Sequence, residues 1–260
     1  MPELPDVEVF RRYLNSTALN KLVDSVSVEN DKVLEVSRQK LSGNLVGEKL
    51  TGTSRHGKYL FASISNERQL YMHFGMTGFL RYYRDTDGAP DHSRLIFELE
   101  NGYRLAYDCQ RMFGRVGVVD SVDQFIEERK LGPDALSVDE AEAVQRLGAR
   151  SGQVKSTLMN QRVLAGIGNI YSDEILFQAR IHPASSVSDL DEDDLRQLVE
   201  KTKTVLTSAI YAQADPDDLP GHFLIGRRSE EAECPVCGGE VEAIRVGGRR
   251  GFFCPQCQKR

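Results

Sequence analysis

Four cysteines near the end of the sequence place the tightest constraint on its fold. They form two Cys-x-x-Cys pairs separated by sixteen residues, the spacing expected when four thiolates bind one zinc ion. Two residues between paired cysteines allow a tight knuckle, and Gly238 and Gly239 suit such a turn. Four thiolates leave no open coordination position, so one structural zinc per chain is expected. The predicted ligands are Cys234, Cys237, Cys254 and Cys257.

Disulfide pairing is the alternative for these cysteines. We expect a reducing compartment, because no signal peptide or apolar targeting stretch is recognisable in the sequence. A reducing compartment disfavours disulfides. The fifth cysteine, Cys109, is predicted to be a buried small hydrophobe.

The distribution of charge along the sequence is more informative about binding partners than the net charge is. The 260 residues carry a formal net charge of −6, which argues mildly against a nucleic-acid partner. Residues 243–260 nevertheless contain no acidic residue, so a basic zinc hairpin on an acidic body is compatible with phosphate binding. No run is long enough to span a membrane. The basic residues of this segment are Arg245, Arg249, Arg250, Lys259 and Arg260.

The pattern in the first half of the sequence predicts short strands separated by turns. Asp6 is expected to cap a helix running to about Leu14. The turn at 100–103, with Asn101 before Gly102, predicts a hairpin of the primed-turn type. Many short strands joined by such turns, Asp87–Gly88 among them, indicate an antiparallel sandwich or barrel. The predicted strands are 21–28, 32–36, 58–64, 69–74, 79–84, 94–99, 103–108 and 115–120.

Helical periodicity replaces the strands after a boundary expected at 121–134. Ser137 and Glu140 have the spacing of a capping box for a helix ending near Gly148. Apolar residues between 195 and 210 repeat at three and four, which predicts an amphipathic helix. Residues 153–174 indicate a helix, a two-glycine turn and a second helix starting near Asn169.

The turn from Gly166 to Asn169 has the features of a phosphate-binding corner. Glycines expose backbone N–H groups, and a helix start adds unpaired donors and a positive dipole end. Lys155 on the preceding helix is a candidate to add charge. The turn alone favours an ordinary helix–helix connection, and the basic hairpin downstream shifts the interpretation towards nucleic acid.

The first residues of the chain suggest a nucleophile. Removal of Met1 leaves Pro2 with a secondary α-amine, and α-amino groups have a pKa of about 8, so part of it is unprotonated at neutral pH. Such an amine attacking an aldehyde carbon forms an iminium, which is an electron sink. Glu3 follows as a candidate acid or base. Many chains begin with Met-Pro and have no catalytic N-terminus, so this motif alone does not identify a nucleophile.

Several separated motifs together resemble the formamidopyrimidine-DNA glycosylase and endonuclease VIII family of base-excision repair enzymes. The resemblance covers nearly the whole length and ends in the four-cysteine finger. Its motifs are Pro2-Glu3-Leu4-Pro5, Gly57-Lys58-Tyr59-Leu60, His73-Phe74-Gly75-Met76-Thr77-Gly78, Arg111-Met112-Phe113-Gly114, Gly166-Ile167-Gly168-Asn169-Ile170-Tyr171, Asp173-Glu174 and Ile181-His182-Pro183.

The resemblance implies an α+β fold in three parts. These are an N-terminal catalytic β-sandwich domain with flanking helices (1–128), a helical helix-two-turn-helix domain (129–226) and a zinc-finger hairpin (227–260). It also implies a bifunctional glycosylase and AP lyase that removes oxidised or ring-opened bases from damaged double-stranded DNA. We expect a monomer without membrane association, located in the cytoplasm with the nucleoid of a prokaryote.

The resemblance also implies roles for individual residues. Pro2 would attack C1′ of a flipped nucleotide, Glu3 would transfer a proton and Lys58 would hold a phosphate. Asn169 and Arg249 would hold phosphates around the lesion, with Lys155 as a weaker candidate. The residues that would fill the gap left by the flipped base are Met76, Arg111 and Phe113.

Three departures from the family pattern limit what is carried over. Asp6 stands where the family usually has Glu, which puts a role in base recognition in doubt. Residues 108–111 hold one residue more than the usual Asp-Pro-Arg spacing. The stretch from Ile210 to Cys234 is short, whereas the formamidopyrimidine type carries a long lid over 8-oxoguanine there. We therefore predict that 8-oxoguanine is a poor substrate.

Two other functional classes remain open on the sequence. One is a DNA-binding protein that keeps the scaffold without chemistry, which the presence of Pro2, Glu3 and Lys58 disfavours. The other is a zinc-ribbon protein whose finger docks on a protein partner. Steep salt dependence of binding would favour DNA over a protein partner.

Overall fold

The computed structural model describes residues 1–84 and 88–259. Arg260 of the basic segment and Asp87 of the expected turn at Asp87–Gly88 lie outside the described residues. The chain divides into two compact units. The first comprises Met1–Pro2 with Asp6–Arg129, and the second comprises Glu3–Pro5 with Lys130–Arg260.

Two antiparallel four-stranded sheets make up the first unit. Their orders are β1-β6-β7-β5 and β2-β3-β4-β8. Buried side chains of both sheets, such as Leu60, Met72, Phe97 and Tyr107, belong to a single apolar cluster, so the sheets form a sandwich as predicted. The strands are β1 (Val23–Val28), β2 (Leu50–His56), β3 (Tyr59–Ile64), β4 (Gln69–His73), β5 (Phe79–Tyr83), β6 (Ser93–Leu99), β7 (Arg104–Asp108) and β8 (Arg115–Val119).

In the described part of this unit three α-helices accompany the sheets: α1 (Leu4–Thr17), α2 (Arg38–Leu45) and α3 (Val122–Glu128). Asp6 lies inside the first turn of α1, so the prediction that Asp6 precedes and caps this helix is wrong. Its carboxylate still lies at the positive end of the helix dipole.

Two strand predictions in this unit are wrong. Residues 32–36 form no strand, because Asn30 accepts a hydrogen bond from the Lys32 N–H and starts a short 3-10 turn over Asp31–Val33. Strand β2 was missed. Its residues alternate little in polarity, and only its first residue, Leu50, is fully buried.

The turn between β6 and β7 is a hairpin, but its type differs from the predicted one. A type I′ turn needs positive φ at both central residues. Among residues 100–103 only Gly102 has positive φ, at 75°. The Gly102 N–H donates to the Leu99 carbonyl and the Leu99 N–H donates to the Tyr103 carbonyl. The loop therefore has three residues and closes with a left-handed glycine.

Helices and one small hairpin form the second unit. The helices are α4 (Glu140–Gly148), α5 (Val154–Leu158), α6 (Asn169–Gln178) and α7 (Glu192–Tyr211), and the hairpin strands are β9 (Glu242–Val246) and β10 (Arg249–Phe253). The predicted cap of α4 is wrong by two residues, since Asp139 and not Ser137 accepts the free N–H groups of its first turn. Asp191 and Asp194 form a capping box at the start of α7.

The second unit has two apolar clusters. The larger one lies among the helices and includes Leu4 of α1. The smaller one joins Phe177 and Leu224 to Val241 and two of the cysteines in the hairpin region. Among the residues with described structure, no helix is long and apolar enough to cross a membrane.

Candidate active site and metal centre

Pro2 lies at the entrance to helix α1. It is partly exposed, and Met1 before it is 41% exposed. Both residues belong to the first unit, whereas Glu3 belongs to the second. Pro2 and Glu3 are consecutive residues, so the peptide bond between them joins the two units.

The Glu3 carboxylate is fixed at the start of helix α6. Its Oε2 accepts from the Gly168 N–H at 2.6 Å and the Tyr171 N–H at 3.3 Å, and its Oε1 accepts from the Ile170 N–H at 2.9 Å. Only 1% of Glu3 is exposed. The free N–H groups and positive dipole end of a helix start are suited to a carboxylate.

This arrangement corrects the prediction of an open phosphate seat at the two-glycine turn. The donors of the turn at Gly168 and Ile170 already bind Glu3. A glycine is required at position 166 for the close approach of Leu4 to this turn, since its φ is 120° and a Cβ there would lie 2.5 Å from Leu4 Cδ1. The Leu4 N–H donates to the Gly166 carbonyl at 3.1 Å. The turn at 166–169 therefore binds Glu3 and Leu4, near the start of the chain, and does not present an open phosphate site.

Lys58 occupies a tight turn and not the strand on which it was predicted. Gly57, with φ of 55°, and Lys58 connect β2 to β3. A two-residue hairpin loop with Gly in its first position is a favoured connection. The Arg55 guanidinium donates to the Gly57 carbonyl at 3.0 Å, which steadies the turn. Lys58 is partly buried.

Glu8 on α1 anchors this arginine. The Glu8 carboxylate lies 3.5 Å from Arg55 Nε and 2.7 Å from the Arg11 guanidinium. Burial acts to raise the pKa of Glu8, but the arginine hydrogen bonds and charges outweigh it, so the pKa is lowered. An ionised Glu8 therefore holds Arg55, and Arg55 holds the turn that carries Lys58.

His73 ends β4 as a neutral ring. Burial, followed by the charge of Lys58, lowers the pKa of His73 to about 4. Its Nδ1 accepts from the Gly75 N–H at 3.2 Å, which fixes the following turn. His73 lies in one of the motifs that carry the family resemblance, and its position in the sequence predicted no role for it.

The structure brings Met76, Arg111 and Phe113 together on two adjoining turns. The Arg111 N–H donates to Thr77 Oγ1 at 3.2 Å, and the Arg111 guanidinium lies 5.4 Å from the centre of the Phe113 ring. A Cβ on Gly75 would lie 2.5 Å from the Phe113 backbone, so the turns approach closely. Met76 is 38% exposed and Phe113 is 52% exposed. Both side chains protrude and neither packs in the core.

Lys155 does not lie where a DNA phosphate can reach it, and this prediction is corrected. Its side chain is fully buried and forms an ion pair with Asp173, which is also buried. Its Nζ also lies 3.3 Å from the Asn169 carbonyl and from Ser172 Oγ. Burial lowers the pKa of Lys155, and the charge of Asp173 opposes that shift. Lys155 is part of the interior of the second unit.

Asn169 and the zinc hairpin are in direct contact. Asn169 Nδ2 donates to the Arg250 carbonyl at 2.9 Å. Its Oδ1 is buried and has no hydrogen-bond partner among the described residues. Arg249 begins β10 and is exposed. The first residue of α6 and the basic tip of the hairpin therefore share one region of the second unit.

The four predicted cysteine ligands converge. Their sulfurs all lie within 4.8 Å of one another, and the distances are 3.7 Å for Cys234–Cys257 and 3.5 Å for Cys237–Cys254. A tetrahedral ion with Zn–S bonds of about 2.3 Å requires sulfurs roughly 3.8 Å apart. The set therefore fits a structural zinc ion and does not form disulfides, whose S–S distance is about 2.0 Å.

Backbone groups shape the metal centre. The Gly239 N–H donates to Cys237 Sγ at 3.4 Å and lowers the pKa of that thiol to about 7. Burial raises the pKa of Cys257 to about 12. A bound cation stabilises the thiolate form of both groups. The Gln258 side chain closes the second knuckle by accepting from the Cys254 N–H and donating to the Ile181 carbonyl.

The segment after α7 is short and polar. Its only regular elements before the finger are the 3-10 turns Pro216–Asp218 and Ile225–Arg227. Residues 215–218 are exposed. The absence of a long lid over a bound base stays a prediction.

Three family models match the chain in order. The models are the formamidopyrimidine-DNA glycosylase N-terminal domain over residues 1–116, the formamidopyrimidine-DNA glycosylase H2TH domain over 131–217, and the zinc finger found in FPG and IleRS over 233–260. The formamidopyrimidine-DNA glycosylase of Laribacter hongkongensis is 34% identical over 277 residues, which covers all of both chains. The chain belongs to the formamidopyrimidine-DNA glycosylase family. The enzyme of Pasteurella multocida is 31% identical, also over all of both chains.

Solved structures of formamidopyrimidine-DNA glycosylases agree with this assignment. Lactococcus lactis Fpg, in complex with DNA containing an abasic site, is 28% identical and superimposes with a TM-score of 0.90 over 99% of this chain and 100% of that one. MutM, in complex with DNA containing carbocyclic 8-oxo-G, is 28% identical with a TM-score of 0.91 and complete coverage of both chains. The α+β fold and the zinc finger are thus those of the family.

Proposed function

We propose that this glycosylase excises oxidised and ring-opened bases from damaged double-stranded DNA and then cleaves the strand at the abasic site. Family membership over the full length supports this, as do the similar structures in complex with abasic-site and Fapy-dG DNA. A base within the duplex is inaccessible, so the target nucleotide must leave the stack.

Pro2 is the proposed nucleophile. After removal of Met1, its ring nitrogen attacks C1′ of the flipped nucleotide, and the bond from C1′ to the base breaks. Opening of the sugar ring then gives an iminium between Pro2 and C1′. This covalent intermediate divides one difficult step into easier ones.

The observation that carries the proposal is the position of Glu3. Three backbone N–H groups hold its carboxylate in one orientation, directly beside the proline in the chain. A carboxylate held next to the nucleophile is suited to take the proton that the Pro2 nitrogen loses after attacking C1′, and to pass it to the sugar oxygen as the ring opens.

Lys58 is proposed to bind the phosphate near the lesion. The iminium makes the C2′ proton acidic, because the electrons of the C–H bond can move towards the positive nitrogen. Loss of this proton expels the 3′ phosphate, and a second elimination expels the 5′ phosphate. A cation beside the leaving phosphate stabilises the charge that develops there, and Lys58 is held for this by the Gly57 turn.

Met76, Arg111 and Phe113 are proposed to fill the space left by the flipped nucleotide. Apolar wedges between base steps offset part of the few kcal/mol of lost stacking. Arg111 can donate hydrogen bonds to the partner base. Support comes from their protrusion on adjoining turns and from the cation–π contact between Arg111 and Phe113.

Asn169 and Arg249 are proposed to bind phosphates flanking the lesion. Arg249 is exposed at the tip of a basic hairpin, and Asn169 contacts that hairpin. Such contacts position the protein on DNA without reading sequence. The relatives named above come from Laribacter hongkongensis and Pasteurella multocida, and we infer the same setting, the nucleoid in a prokaryotic cytoplasm.

Two alternatives are less well supported. A non-catalytic DNA-binding protein would not need Pro2, Glu3 and Lys58 together, and the relatives named are glycosylases. A zinc-ribbon protein that docks on another protein would not need the N-terminal and helix-two-turn-helix domain matches.

Glu3→Gln tests the proposed proton transfer. The amide keeps the shape of the side chain but cannot transfer a proton in the same way. We expect the single-turnover rate of ring-opened guanine release from a duplex to fall at least about a hundredfold, the scale of general acid–base catalysis.

Binding of the same variant to a duplex containing tetrahydrofuran is the control. Its dissociation constant should stay within about threefold of the wild-type value. Release at the wild-type rate would refute the role of Glu3. Loss of binding in parallel with rate would instead assign Glu3 to the integrity of the turn at 166–169.

The substrate range follows from the short segment after α7. Without a long lid, 8-oxoguanine lacks the cover that holds it, and we predict that its release is at least about tenfold slower than release of a formamidopyrimidine, a difference of about 1.4 kcal/mol in activation free energy. Single-turnover rates for 8-oxoguanine, formamidopyrimidine and thymine glycol in matched duplexes measure this. Equal rates for the two purine lesions would overturn the prediction.

A further inference from the structure

Asp173 on α6 is a buried carboxylate that the proposed chemistry does not use. Its Oδ1 accepts from Lys155 Nζ on α5. Its Oδ2 accepts from the Arg228 guanidinium at 2.7 Å and from the Phe252 N–H of β10 at 3.1 Å. One side chain therefore connects two helices, the segment before the first cysteine of the finger and a strand of the zinc hairpin.

The backbone of β10 lies directly against the Lys155–Asp173 ion pair. A Cβ at Gly251 would lie 2.6 Å from Asp173 Oδ1 and 2.7 Å from Lys155 Nζ. Real Cβ atoms do not approach polar atoms so closely. Gly251 is buried, so the missing side chain serves close packing of the hairpin on the helices.

Two more contacts fix the hairpin on either side of Arg249. Asn169 Nδ2 donates to the Arg250 carbonyl at 2.9 Å. At the turn of the hairpin, a Cβ on Gly247 would lie 2.6 Å from Ser156 Oγ of α5. The backbone next to Arg249 is therefore held against α5 and α6 while the Arg249 side chain stays exposed.

We propose that Asp173, with Lys155 and Gly251, forms a seat that positions the zinc hairpin so that Arg249 meets a DNA phosphate. The inference rests on the proposed function of Arg249. The cysteine cluster orders the knuckles, and Cys234 and Cys254 share an apolar cluster with Phe177 of α6, whereas Asp173 and Lys155 meet the hairpin at β10, beside Arg249. The seat, and not the metal alone, then sets the direction of Arg249.

The chemistry of the seat supports this role. A buried carboxylate is tolerated only when well-placed donors surround it, and Asp173 has Lys155, Arg228 and the Phe252 N–H. Because one of these donors is a backbone group of β10, displacing the hairpin leaves Asp173 short of a hydrogen bond. This favours a single orientation of the hairpin. Asp173 is a positioning residue, since it acts on DNA only through Arg249.

Gly251→Ala tests the seat. The added methyl group pushes β10 away from the ion pair while the four cysteines remain. We expect the dissociation constant for a tetrahydrofuran duplex to rise about tenfold at moderate salt. The slope of log Kd against log salt concentration should decrease by about 0.9, which corresponds to the loss of one phosphate contact. The same decrease is expected for Arg249→Ala. The rate of borohydride trapping at saturating DNA should be unchanged.

Gly226→Ala is the matched control, because a Cβ there meets nothing within 4 Å. It should keep the wild-type dissociation constant and salt slope. The zinc content of every variant should stay at one ion per chain. Asp173→Asn, which keeps an acceptor for Phe252 but removes the charge, is the second variant and should lower the same slope.

A double variant separates the possible outcomes. If the seat acts through Arg249, adding Gly251→Ala to Arg249→Ala should weaken binding no further. Additive losses, or an unchanged slope in both Gly251→Ala and Asp173→Asn, would overturn the inference and leave the role of Arg249 standing. An unchanged slope in Arg249→Ala itself would refute the proposed phosphate contact, and the seat with it.

Discussion

A chain in which Met1 or a tag still blocks Pro2 is expected to lose base release and strand cleavage, on the order of a thousandfold or more. In the blocked chain the Pro2 nitrogen belongs to an amide. Its electron pair is delocalised into the carbonyl, so it cannot attack C1′. The measurement is single-turnover cleavage of an abasic-site duplex by blocked and unblocked preparations.

The matched control is the same tagged chain after protease treatment that exposes Pro2, which should recover full activity. The blocked chain should still bind a tetrahydrofuran duplex. Pro2→Gly should keep some strand cleavage, because it retains a primary α-amine. Cleavage by the blocked chain at the unblocked rate would mean that the nucleophile lies elsewhere.

Cys254→Ser is expected to release the zinc ion and to weaken binding to damaged DNA by about two orders of magnitude. Cys254 is fully buried, and its sulfur lies 3.5 Å from that of Cys237. A small hairpin of this kind has little apolar core of its own and depends on the ion for its fold. The measurements are metal content per chain and the dissociation constant for a tetrahydrofuran duplex.

Cys109→Ala is the control for Cys254→Ser. Cys109 is also buried but lies in the β-sandwich core, outside the cysteine cluster. Its replacement should leave the zinc content and DNA binding unchanged. If Cys254→Ser kept one zinc per chain and wild-type affinity, the ion would not be what orders the finger. Treatment of the wild-type chain with a strong chelator should reproduce the Cys254→Ser result.

The sequence was sufficient for features that depend on local spacing. Paired cysteines two residues apart predicted the metal centre that the converging sulfurs confirm. Alternating strands predicted the sandwich, because residues two apart share a face. Predictions that required a choice between neighbouring residues were less secure. Both Ser137 and Asp139 can cap a helix, and only the backbone conformation at Asp139 selects it.

Contacts between distant parts of the chain were not predictable from the sequence. A turn rich in free N–H groups indicates an anion, but not that the anion is the carboxylate of Glu3, 165 residues earlier. In the same way, a lysine on a short helix is predicted to lie on the surface when its ion-pair partner is unknown. Lys155 is buried because it forms an ion pair with Asp173. Helical periodicity alone does not predict this pair.

Mapping of the borohydride-reduced adduct tests the central claim most directly. The mature protein is incubated with an abasic-site duplex and borohydride, the complex is digested, and the peptide joined to the sugar is sequenced. Our account predicts that the N-terminal peptide is modified, with the sugar on the nitrogen of Pro2. Recovery of the sugar on an internal side chain such as Lys58, or of no adduct from chains lacking Met1, would contradict it.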